Sequence, residues 1–231
     1  MREEQMKDML SELIQLPDEV FARFAFSYEL LRNKISPVKQ EELIYRASEC
    51  GTACADEIIH ELGLNNGNAK LPEEIAKAFS LTVEYKKNGR FGERFTFAYF
   101  EPPKRITLFY EYLQNAEEYL KKLELPKALT GLHVSGVILA HEIFHFLEEE
   151  YADEIFTRQY KIDLWAPRPF RNRSTVRCLG EIAAMAFAKR LTGMSCSPFI
   201  FDALIACSIE PGFGVQLYEE VMKFNTPLIK A

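Results

Sequence analysis

The stretch ILAHEIFHFLEEE, from Ile138 to Glu150, constrains this chain more than any other. It sets His141, Glu142 and His145 among Ala140, Ile143, Phe144 and Phe146. A run this apolar reads as a buried helix, and residues four apart on a helix share one face, one turn apart. Burying a histidine and a glutamate there costs free energy unless something meets them. The H-E-x-x-H spacing lets two imidazoles converge on one Zn²⁺ at roughly 2.0–2.1 Å, with Glu142 placed to act on a neighbouring water as general base. The plain alternative is a packed helix that happens to hold two histidines.

A catalytic zinc site needs a third protein ligand and an open position. The chain has 4 histidines and none follows His145, which excludes the longer three-histidine motif of metzincins. The third ligand is therefore expected to be a carboxylate or a thiolate. Glu148, Glu149, Glu150, Asp153 and Glu154 read as the solvated end of the helix. Glu181 stands apart in LGEIAAMAFA, a lone charge in an apolar segment. Gly180, Ala183, Ala184 and Ala188 beside it would admit another helix closely, and a buried glutamate there requires a positive partner. Cys178, on roughly the same face, is the thiolate alternative.

The 231 residues suit one large domain or one domain with a helical appendage, here divided as residues 1–66 and 67–231. The net charge of -6 carries no basic footprint, so nucleic acid is not an expected partner. Arg168, Arg171, Arg173 and Arg177 read as a solvated loop and helix start. No apolar run approaches a membrane span, and MREEQMKDML is not a basic-then-apolar leader. The 5 cysteines, irregularly spaced, read as reduced thiols of a cytoplasmic protein. Cys50 and Cys54, with His60 beyond, fit a packed helix face better than half a metal site.

Helical periodicity fills the first third, with Gly63 placed to end a long helix. Alternation in LTVEYK and RFTFAYF around NGRFGE predicts a hairpin, and RITLFY a further strand. Helices return afterwards, with Thr130 and Ser174 as candidate caps and Glu150 to Asn172 as an irregular loop. His133 belongs near a helix start. Tyr151 and Tyr160 are candidate oxyanion donors. The expected class is α+β, mostly helical, with a small three-stranded antiparallel sheet.

From Leu71 to Leu191 the chain resembles the ImmA/IrrE family of zinc metallopeptidases. The resemblance rests on IAKAFSLTVEY, RITLFY, AHEIFH and GEIAAMAFAKRL. Glu181, Ala184, Phe187 and Ala188 match the family's second motif, E-x-x-A-x-x-F-A. Phe144 and Met185 stand where the family more often has Gly and Asn or Asp. The resemblance implies a zincin-like metallopeptidase fold with His141, His145 and Glu181 as zinc ligands and Glu142 as catalytic base. It also implies limited proteolysis of a regulatory protein such as a transcriptional regulator. The competing expectation is a metal-binding regulatory or partner-binding protein without turnover.

Overall fold

The computed structural model describes residues 3–64, 70–91, 94–123, 133–165 and 172–225. Helices α1 (Glu3–Ile14), α2 (Asp18–Ser27) and α3 (Pro37–Glu61) fill the first part of the chain. Ser36 starts α3 by accepting the Lys39 N–H at 3.4 Å, and Pro37 occupies the first turn, where its missing donor is no loss. Gly63 ends α3 as predicted, in the left-handed region at φ 62°, where a Cβ would be penalised. The expected domain boundary falls at residues 65–69, outside the described residues. One contiguous apolar core holds side chains from both sides of it, including Leu43, Ala47 and Ala55 with Ala183, Ala184 and Leu191.

After α4 (Leu71–Ala78) come β1 (Thr82–Lys86), the short β2 (Arg90–Phe91) and β3 (Arg94–Phe95), then β4 (Ala98–Glu101) and β5 (Arg105–Phe109). The larger sheet has the order β1-β5-β4, with β1 parallel and β4 antiparallel to β5. It is mixed, not antiparallel as the sequence reading had it, and β1 does not form a hairpin with β4. The reason lies in β5, which is buried from Ile106 to Phe109 with only Arg105 exposed. A strand covered on both faces takes the centre, and the more exposed β1 and β4 flank it. The local turn signal goes instead into the β2–β3 pair.

Helices α5 (Tyr110–Lys122) and α6 (Val134–Glu150) follow, then α7 (Phe156–Gln159), β6 (Lys161–Trp165), β7 (Asn172–Thr175), α8 (Cys178–Thr192), α9 (Ile200–Ile209) and α10 (Pro211–Met222). The segment expected to be an irregular loop thus holds α7 and the antiparallel β6, which pairs with β7. Ser174 lies in β7 and does not cap α8. Thr130, Arg168 and Arg171 lie outside the described residues. The described chain is mostly helical, and the α+β class stands. No described helix is long and apolar enough to cross a membrane, and all cysteines are free.

Helix α6 is buried almost all round, as its apolar run requires. Phe146 meets Phe79 and Phe100 edge-on, with ring centroids 5.4 and 6.0 Å away. Phe144 packs on Phe187 of α8 at 5.7 Å. On its other side α8 lies against α3 so closely that a Cβ on Gly51 would sit 2.0 Å from the Ala183 carbonyl oxygen. That oxygen is backbone and cannot swing away. Gly51→Ala is therefore expected to destabilise the protein by about 3 kcal/mol, the upper end for overpacking. Gly212→Ala, whose Cβ would meet only Glu210 Oε1 at 3.8 Å, should stabilise it by about 0.4–1 kcal/mol. Urea unfolding midpoints of the two variants check both signs.

Candidate metal centre

His141 and His145, one turn apart on α6, present their Nε2 atoms to each other at 3.0 Å. Glu181, in the first turn of α8, completes a triangle. Its Oε2 lies 3.3 Å from His141 Nε2 and its Oε1 3.6 Å from His145 Nε2. Among the described residues these three form the group whose donor atoms could hold a metal ion. A tetrahedral ion with bonds of about 2.0–2.1 Å needs donors separated by roughly 3.3–3.4 Å. The separations of 3.0, 3.3 and 3.6 Å lie near that value, the last two to different Glu181 oxygens, and with one donor atom from each residue the trio lies within 4.8 Å. Two imidazole nitrogens this close cannot both turn lone pairs inward unless a proton or a cation stands between them; a proton serves in the metal-free chain, and two imidazoles with a carboxylate are donors that a divalent ion could take in its place.

The sequence reading expected Glu181 to be buried. Its side chain is 55 % exposed and faces a cleft, while His141 is buried. Burial works against a charge on His141, but the hydrogen-bonded Glu181 outweighs it and raises the ring from 6.5 to about 9. Glu181 is correspondingly held down at about 2: although it opens on the cleft, the protein packed beside its carboxylate partly desolvates it and opposes its charge, and His141 and His145 more than offset that. Cys178, the alternative ligand, is buried outside the trio, and burial together with Glu29 pushes its thiol well up. Its backbone N–H donates to Glu29 Oε2 at 3.1 Å. Glu29, buried on the segment after α2, thus satisfies a free N–H at the start of the helix that carries Glu181.

Glu142 is buried beside the trio. Burial raises its carboxyl above the usual range, while His141, His145 and the Phe100 backbone N–H pull the other way. The cleft has a volume of about 590 Å³. One wall is Thr96 to Phe100 with Pro102, and the other carries His141, Glu142, His145 and Glu181. A larger groove of about 720 Å³ between α2, α3 and α8 contains none of these residues.

Two acidic residues near the trio escaped the sequence reading. Glu148, expected at a solvated helix end, is buried, with Oε2 3.6 Å from His145 Nδ1. Burial pushes its carboxyl up, but the neighbouring His145, Thr157 and Arg158 outweigh that and lower it. Its signal was spacing, three residues beyond His145 on the same face. Asp202 of α9 is the other. Burial raises its carboxyl from 3.8 to about 6, against the pull of His141. A lone charge in IFDALIACSI was the same signal that singled out Glu181. His141 Nδ1 has no hydrogen-bond partner.

The remaining candidates lie elsewhere. Tyr151 lines a groove with Glu57 and Glu61 of α3, and Tyr160 packs on Phe156 with Lys39 over its ring. Arg173 pairs with Asp163 at 3.0 Å, and Arg177 is exposed. His133, at the N-cap position of α6, and His60, on α3, are exposed. Cys50 and Cys54 are half-buried on α3. Thr96, Tyr99 and Arg158 are further polar side chains in the cleft that sequence reasoning missed. No family model, curated protein or solved structure matches this chain.

With its pKa at about 9, His141 is protonated at neutral pH in the metal-free chain. Only the neutral ring can ligate, so metal uptake must expel that proton. Zinc titrations in buffers of differing ionisation enthalpy should show net proton release at neutral pH, and affinity should rise as pH approaches 9. A pH-independent affinity between neutrality and that value would contradict the assignment.

Proposed function

We propose that this chain is a zinc-dependent endopeptidase with a zincin-like catalytic core, as its motifs resemble. The supporting observation is the convergence of His141 Nε2, His145 Nε2 and a Glu181 carboxylate oxygen, with a buried Glu142 alongside, in a cleft walled by a strand edge. His141, His145 and Glu181 would hold the zinc, which when bound would supply Lewis acidity toward a carbonyl and lower the pKa of water near it.

The chain's own residues supply the rest. Glu142, its carboxyl raised by burial, is suited to take a proton from the attacking water and return it to the leaving amine. Among the described residues β4 pairs only with β5, so its other edge is open toward the cleft. The Phe100 N–H turns from that edge toward Glu142. An extended peptide could add to β4 by backbone hydrogen bonds, which favours a protein substrate over a small ester or amide. Phe97, Tyr99, Phe100 and Pro102 offer its side chains an apolar wall.

The family resemblance suggests a transcriptional regulator as the substrate. The free cysteines fit action in the cytoplasm.

Glu142→Gln keeps the shape of the side chain and removes its basicity. It should leave zinc content unchanged and slow cleavage of an extended peptide or unfolded regulator by about 10²–10⁴-fold. Mass spectrometry of the products reads the result. Full activity in this variant overturns the mechanism. Zinc-dependent binding of the substrate without any cleavage by the native chain favours a regulatory, non-hydrolytic protein instead.

A further inference from the structure

We infer that Glu148 is a positioning residue of the metal centre, fixing the His145 ring and bracing it against α7 and α8. The inference rests on the metal-binding reading above and goes beyond it.

Glu148 Oε2 lies 3.6 Å from His145 Nδ1, the ring nitrogen turned away from the donor triangle. A metal-bound imidazole coordinates through one nitrogen and must carry a proton on the other. A carboxylate at that second nitrogen selects the tautomer, holds the ring plane and strengthens the ligand. Glu148 stands where that carboxylate is needed, and it is 9 % exposed despite its place near a helix end.

The surroundings are shaped to hold it. A Cβ on Gly180 would come within 2.8 Å of Glu148 Oε1 and 3.1 Å of Oε2. The residue next to the third ligand therefore has to be small for the carboxylate to enter between α6 and α8. Arg158 Nε lies 3.8 Å from Oε2, while its Nη2 donates to Glu149 at 2.6 Å. Thr157 Oγ1 and Arg158 Nε are both buried without a hydrogen-bond partner. Arg158 Nε stands a few tenths of an ångström beyond hydrogen-bond range of the carboxylate, and Thr157 helps to hold that carboxyl in its ionised form. The Glu148 carboxylate thus stands between the His145 ring and α7.

The test measures zinc affinity of the full chain by competition with a chromophoric chelator, alongside long-range ¹H–¹⁵N spectra of the zinc-loaded protein. Glu148→Gln should weaken zinc about 10–100-fold without changing its stoichiometry. The native zinc-loaded protein should show a downfield Nδ1–H signal of His145, and Glu148→Gln should remove it. Gly180→Ala, which displaces the carboxylate from the α8 side, should give the same loss. It also serves as an independent probe should the first variant fold poorly. The double variant should lose no more than the larger single loss, because both changes remove one interaction. Affinity within about twofold of native in both single variants, with the His145 signal unmoved, overturns the positioning role and leaves the metal site intact. A native chain that takes up no zinc overturns both.

Discussion

Everything at this centre depends on how closely α8 can lie between two other helices. On one side Gly51 of α3 touches the Ala183 backbone, and on the other Gly180 leaves room for the Glu148 carboxylate. Interiors pack at crystal-like density, and at Gly51, where the opposing atoms are backbone, an added methyl would push α8 away from α3. Moving α8 would move Glu181, and the separations of 3.3 and 3.6 Å to the two histidines would change with it. The small residues of α8 are thus part of the metal geometry, although none of them is a donor.

That packing concentrates charge in an apolar setting. Glu142, Glu148, Glu181 and Asp202 all act electrostatically on the two imidazoles or on each other. Carboxylates so placed are costly to desolvate unless cations or donors meet them. In the metal-free chain a protonated His141 supplies part of that compensation. A divalent cation at the trio would supply more, in the position where the donor atoms already converge. The same field sets Glu142 apart: it stays close to the centre without joining the triangle, and its raised carboxyl suits proton transfer rather than ligation.

The N-terminal helices take part in this arrangement. Glu29 accepts the Cys178 N–H at the start of α8, and α3 supplies the surface on which α8 rests. The position of α8, and with it Glu181, rests on contacts that cross the expected boundary at residue 66.

Much of the centre was legible in the residues themselves. The four-residue spacing of His141 and His145 is converted by helix geometry alone into two imidazoles on one face, and a lone glutamate among small apolar residues had to point at something positive. The end of α3 at Gly63 and the mostly helical class were equally local, set by backbone conformation and periodicity. Other features depended on which faces of distant elements meet, and no periodicity encodes that. Alternation in Thr82–Lys86 could not say that its partner is the parallel β5 and not β4, because the choice follows from β5 being buried on both faces. Glu148 looked solvated because its spacing says which face it shares but not that α7 and α8 cover that face. Tyr151 and Tyr160 looked well placed along the chain, yet their segment turns them away from the cleft, toward α3. The sequence by itself determined which residues could meet a metal. The packing of α8 against α3 and α6 decided which acids stand behind them, because burial is a property of the assembled helices.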